Sequence, residues 1–190
     1  MIGYNKRYPF KLTGGLLLIL LILISAFWSG QIHFVFKEFF GQYYTPNFFS
    51  SFIKILIGLA TFLAVNYGLT LGLLKWGIKG KTDPIQIFSE YAITAIVSLV
   101  PLLVGSLLGM ITAGALETIL FGLYFISLIM LLVSPVYIYM RRAQNVTVKV
   151  DQFYAIAAYA VILAIVTGVA FSLLIDSFLK LIAPLIHFPF

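Results

Sequence analysis

Four polar side chains, Asn66, Glu90, Glu117 and Asp176, stand inside or at the edges of long apolar runs. Where the surroundings are lipid, groups of this kind build ion, proton or substrate pathways. A proton or cation relay needs acidic groups at successive depths. Here Glu90 lies about a turn and a half into its run, Glu117 opens the next and Asp176 closes the last, so the ladder is missing and only Asn66 is central. A lone amide at that depth has a more ordinary use, an interhelical hydrogen bond contributing roughly 0.6 to 2 kcal/mol. Pro101, and Pro135 just after Ser134, each remove a backbone donor and free the carbonyl one turn earlier. In lipid that carbonyl must be met by a neighbouring helix, a hydroxyl or trapped water. Both prolines predict kinks, and simple curvature competes with a hinge or a lined cavity as their purpose. Asn66, Glu90, Pro101 and Ser134 are therefore the candidate intramembrane polar positions.

Other chemistries find no constellation. The histidines, His33 and His187, stand far apart and outside any metal-ligand spacing, and neither a G-x-S-x-G turn nor a phosphate-binding glycine loop occurs. Without cysteine there is no disulfide, thiolate site or cysteine nucleophile. The sequence reading therefore expects a non-enzyme, with no catalytic residue, metal or cofactor.

The elements that position these groups follow from composition. A chain of 190 residues that is 62% hydrophobic and 9% charged, with a mean hydropathy of +1.10, has too little polar surface for a water-soluble globule. At about 20 residues per crossing, the apolar runs predict an all-α integral membrane bundle in one domain, 1–190, with five transmembrane helices over about 12–35, 48–74, 84–111, 115–140 and 152–179. Lys6, Arg7, Lys11, Lys75, Lys79, Lys81, Arg141, Arg142 and Lys149 fall on one side of that threading, and Lys37, Lys54 and Lys180 on the other. The positive-inside bias then places the N-terminus in the cytoplasm and the C-terminus outside. The net charge of +6 sits in short clusters at the ends of apolar runs, which points to anionic headgroups and not to nucleic acid. A basic start, the run Leu16 to Ile24 and the tripeptide Ile24-Ser25-Ala26 also outline a signal peptide. The continuation through Phe27 and Trp28 favours an uncleaved anchor.

Small residues recur every fourth position at Ala60, Ala64, Gly68 and Gly72, at Gly105, Gly109 and Ala113, and at Ala160, Ala164, Gly168 and Ser172. Such stripes let backbones approach closely, and the expectation is that they face the bundle interior; contact with a partner protein is the other reading. Phe36, Phe39, Phe40, Tyr43 and Tyr44 share one helical face, which predicts a short interfacial helix in the first extracytoplasmic loop, ended by Thr45-Pro46-Asn47. That face would anchor the chain or recognise a membrane-active peptide or partner. Lys81-Thr82-Asp83 leading to Phe88 and Tyr91-Ala92-Ile93 matches Lys149-Val150-Asp151 leading to Phe153-Tyr154-Ala155-Ile156. The match suggests that spans two-three and four-five are hairpins of one orientation, or that the two aspartates are simply helix N-caps, Pro84 taking the first helical position.

Five spans, the basic turn Gly77-Ile78-Lys79-Gly80-Lys81, Phe88 with Tyr91-Ala92, the run Pro101 to Leu108 and Leu123-Tyr124-Phe125-Ile126-Ser127 together resemble the bacterial branch of the Yip1-domain membrane proteins over about residues 50 to 175. The acidic-aromatic Gly-Pro signature and long N-terminal region of the eukaryotic members are absent. The resemblance implies a non-catalytic accessory protein, some bacterial members being associated with ABC-type exporters, including ones that protect against antimicrobial peptides. The expected protein is an accessory or scaffold subunit in the bacterial cytoplasmic membrane, contacting the lipid bilayer and a membrane protein partner or a second copy. The alternative is a small solute carrier or substrate-binding transport subunit with a cavity lined by Asn66, Glu90, Pro101 and Ser134.

Overall fold

The computed structural model describes residues 9–40, 46–78, 83–111, 117–144, 148 and 150–165. Its helices are α1 (Phe10–Phe40), α2 (Phe48–Gly77), α3 (Pro84–Ile111), α4 (Glu117–Ala143) and the shorter α5 (Gln152–Ile165). The first four are long and apolar enough to cross a membrane. Of the span expected over 152–179, α5 covers the first part, and the remainder lies outside the described residues. Among the described residues the β-structure is one antiparallel bridge, Ile78 to Val148, which ties the end of α2 to the segment between α4 and α5.

Local chemistry sets the helix starts. The Asn47 side chain accepts from the Phe49 and Ser50 amides, and the Asp83 and Asp151 carboxylates accept from the Ile85 and Phe153 amides at 3.0 and 2.8 Å. Each satisfies an amide that the first helical turn leaves without an internal acceptor. Both aspartates of the internal repeat are thus N-caps. Ala92 and Ala155 of the two repeats are also both buried, but the aromatics part ways: Phe88 and Tyr91 pack inside the bundle, whereas Phe153 and Tyr154 are exposed.

Helix directions follow from cross-helix pairs. Phe10 meets the Phe88 ring, tilted against it, at one end of α1 and Gln31 bonds the Ser106 carbonyl towards the other, so α1 and α3 run parallel. Arg142 pairs with Glu90 and Ser127 with Ser98, so α4 runs against α3. Asn66 meets Leu131 and Gly77 meets Tyr139, so α2 and α4 run parallel. Around the bundle the order is α1, α3, α4, α2, each packing on the next. The hairpin of spans two and three is looser than expected: α2 and α3 are diagonal, meeting through side chains such as Tyr67 with Phe88 and Tyr91, while the backbone of α3 packs mainly on α1 and α4. Lys11, Lys75, Arg141 and Arg142 gather at one end, called the basic end below, while Lys37 and Glu38 lie at the other.

The separate interfacial helix is not seen among the described residues. Phe36 to Phe40 belong to α1, which at about 1.5 Å per residue extends about 46 Å, more than the ~30 Å hydrocarbon core requires. The physical reason is register. Phe36 and Phe40 continue the face that carries Ser29 and His33, so one helix satisfies the aromatic spacing without a break. Phe36 is half-buried, the Phe39 and Phe40 side chains lie outside the described part, and so do Tyr43 and Tyr44. His33 Nδ1, 3.1 Å from the Pro46 carbonyl, holds the far end of α1 to the entry of α2.

Candidate functional site

Pro135 organises the polar centre. Lacking an N–H, it leaves the Leu131 carbonyl without its helical donor, and two side chains supply the loss: Asn66 Nδ2 from α2 at 2.7 Å and Ser134 Oγ at 2.8 Å. The adjoining Leu132 carbonyl accepts the Tyr159 hydroxyl of α5 at 2.6 Å. Tyr91, fully buried, lies against the Asn66 side chain short of hydrogen-bond geometry, and both the Tyr91 hydroxyl and Asn66 Oδ1 are buried without a hydrogen-bond partner.

A second cross-helix bond stands near Pro101 in α3, on a carbonyl other than the Val97 carbonyl which that proline frees. Ser127 of α4 donates to the Ser98 carbonyl, three residues before that proline, at 2.6 Å. Elsewhere Ser29 of α1 reaches the Phe48 carbonyl at 2.6 Å, Gln31 reaches the Ser106 carbonyl at 2.7 Å and Tyr67 of α2 reaches the Pro84 carbonyl at 2.8 Å. Neighbouring helices are thus fastened by side chains that donate to backbone carbonyls. In lipid, where apolar burial gives helices no preference for one another, such bonds and close packing supply the association.

Glu90 has a specific partner. Arg142 Nε and Nη2 each lie 2.9 Å from a Glu90 carboxylate oxygen, with both side chains about one-fifth exposed. This bidentate pair neutralises the one carboxylate that the described part of α3 carries. It stands at the basic end of a groove of about 470 Å³ on the outer seam of α3 and α4, whose walls include Val97, Met130, Val133 and Tyr137 and whose mouth includes Arg141. Glu90 and Ser134 line this groove; Asn66 and Pro101 do not. The expected four-residue cavity therefore divides, Asn66 serving the interior and Glu90 the seam.

The small-residue stripes divide as well. A Cβ on Gly105 would come 2.7 Å from Tyr124 Cε1, and one on Gly109 would come 2.5 Å from Gln31 Nε2, so this stripe is a true close approach. Gly68 and Gly72 meet nothing within 4 Å, and Ala60, Ala64, Ala160 and Ala164 are exposed. The α2 stripe, and the described part of the α5 stripe, face outward instead of inward as expected; Gly168 lies outside the described residues. In lipid both faces of such a helix are equally apolar, so residue size alone does not choose the inner one.

Arg142 and Ser127, read in the sequence only as a flanking cation and as part of an apolar motif, and Gln31 and Tyr159, not read at all, are the bonding residues that the sequence reading did not place at a site. The missing signal for Arg142 was level: Glu90 lies early in α3, and a cation at the end of the next, antiparallel helix arrives at the same height. Among the described residues no three His, Asp or Glu side chains gather as metal ligands would.

Fold and site together define an all-helical bundle whose apolar helices suit a membrane protein, fastened by side chains that donate to backbone carbonyls, the proline-exposed Leu131 carbonyl among them. Compared with protein-family models, curated proteins and solved structures, the chain matches none.

Proposed function

We propose that this chain is a non-enzymatic, multi-pass subunit of the bacterial cytoplasmic membrane, an accessory or scaffold for a transport, export or antimicrobial-peptide-resistance assembly. Its basic end faces the cytoplasm, its C-terminus lies outside, and it docks on a larger membrane protein through the outward face of α2. The observation that carries the reading is the stripe Ala60, Ala64, Gly68 and Gly72, shaped for close helix approach yet turned away from the chain's own bundle. Of the four long helices, α2 also hides the smallest share of its most apolar stretch, 6% against 39% for α3. The gathering of Lys11, Lys75, Arg141 and Arg142 at one end supports the orientation. The Yip1-like pattern supports an exporter of the ABC type as partner, and a second copy of the chain is the competing occupant.

A solute carrier is the second reading, because Glu90 and Ser134 do share a groove. It is weakened by the interior, where Asn66, Ser127 and Tyr159 donate to carbonyls of α3 and α4 and so brace the helices.

Affinity purification in mild detergent should recover a larger membrane protein with the wild-type chain. Gly68→Leu with Gly72→Leu should lower that recovery more than tenfold, while Gly122→Leu, which also meets open space, should leave it unchanged. Recovery of the partner by the double variant, or substrate uptake by the purified chain alone in liposomes, would contradict the docking reading.

A further inference from the structure

We propose that Asn66 and Tyr91 hold one water molecule inside the bundle, bound between α2, α3 and the Pro135 turn of α4. Both residues are buried, 3% and 1% exposed, and each carries a polar atom without a hydrogen-bond partner, Asn66 Oδ1 and the Tyr91 hydroxyl. The two atoms are complementary, since an amide oxygen only accepts and a phenol donates. In lipid no bulk water is at hand to satisfy them, and leaving them unmet is costly.

Neither side chain can turn to meet the other. The Asn66 amide is fixed by Nδ2, which donates to the Leu131 carbonyl at 2.7 Å; swapping its ends would set Oδ1 against that carbonyl, acceptor on acceptor. The Tyr91 ring is fixed by packing, fully buried and tilted against Tyr67 at 5.7 Å between centroids, so only its hydroxyl hydrogen swings. A third body must therefore accept from Tyr91 and donate to Asn66 Oδ1 at once. Water does both. An internal water makes about three hydrogen bonds. The Tyr159 hydroxyl of α5, within electrostatic reach of Tyr91, gives its own hydrogen to the Leu132 carbonyl and keeps lone pairs for the third.

The same inventory excludes other occupants. A metal ion needs several charged or oxygen ligands, and among the described residues no three His, Asp or Glu side chains gather. A larger polar solute needs more donors than remain, because Thr70 is committed to the Asn66 carbonyl at 2.9 Å, Ser134 to Leu131 at 2.8 Å and Tyr159 to Leu132 at 2.6 Å. Hydration thus stops at one molecule. That molecule joins the diagonal helices α2 and α3 to the Pro135 turn in one network. Neither the outer face of α2 nor the direction of threading enters the inference.

The experiment exposes the full chain in lipid nanodiscs to millisecond synchrotron X-ray pulses, which split water into hydroxyl radicals, and maps the oxidised residues by peptide mass spectrometry. Radicals formed on a bound water attack the side chain beside it. Tyr91, despite its burial, is therefore expected to be oxidised within about threefold of the rate of Tyr154, which is exposed. A millimolar radical scavenger in the buffer should quench oxidation of Tyr154 and leave that of Tyr91 unchanged. Asn66→Leu, shown to be folded by circular dichroism, should lower Tyr91 oxidation about tenfold. The two wild-type readings decide the matter even where that variant does not fold. Protection of Tyr91 by more than about tenfold relative to Tyr154, the result for a dry interior or a direct bond to Asn66, would overturn the proposal. So would quenching of Tyr91 oxidation by the scavenger, which would mark an open aqueous path, or undiminished oxidation in folded Asn66→Leu.

Discussion

Arg142→Leu is expected to destabilise the bundle by about 1.5 to 3 kcal/mol, the range for losing hydrogen bonds to a charged group and below that for a fully buried ion pair. The Glu90 carboxylate would keep its place on the α3–α4 seam, about four-fifths hidden and walled by apolar groups, without either of its 2.9 Å donors. Much of that loss is the cost of an unpaired charge and not the worth of the pair. Glu90→Leu with Arg142→Leu should therefore recover most of it, since two apolar side chains suit the seam. Unfolding of the purified protein in detergent, followed by circular dichroism for the single and double variants, measures the coupling. A double variant as unstable as Arg142→Leu would show that the pair is not the source of the effect.

Gly105→Leu is expected to cost about 3 kcal/mol, at the upper end of the range for overpacking. The added Cβ alone would sit 2.7 Å from the Tyr124 ring and 3.4 Å from the Leu123 Cβ. The same ring is also in T-shaped contact with the Trp28 indole, 5.7 Å between centroids, so moving it disturbs a second contact. The same substitution at Gly122 on α4, with nothing within 4 Å, should cost nothing and raise stability by up to about 1 kcal/mol, the helix penalty that glycine carries. Comparing the two unfolding midpoints separates close packing from the general effect of a larger residue in a helix.

What the sequence made legible was whatever depends on one helix at a time. The apolar runs placed α2 and α3 at their observed starts because Asn47 and Asp83 cap them, and Pro135 announced a carbonyl in need of a donor. Asn66 was recognisable as an interhelical amide because nothing else so polar stands so deep. What stayed hidden depends on pairs of helices. Gly68 and Gly105 belong to stripes of the same spacing, yet one faces outward and the other receives Tyr124. Hydropathy cannot distinguish them when solvent and core are equally apolar. Arg142 reads as an ordinary flanking cation until the α3–α4 register brings it level with Glu90. The aromatic run from Phe36 has the period of a new helix and equally that of an old one extended, and α1 takes the second course.

The central claim is a lipid-immersed bundle with its basic end in the cytoplasm, and the chain's lack of cysteine makes single-cysteine labelling the direct test. Glu38→Cys and Gln144→Cys place thiols at exposed positions at opposite ends of the bundle. In intact cells, a membrane-impermeant maleimide should label the Glu38→Cys protein at once and the Gln144→Cys protein only after permeabilisation. Labelling of both from outside, or of Gln144→Cys alone, would contradict the account.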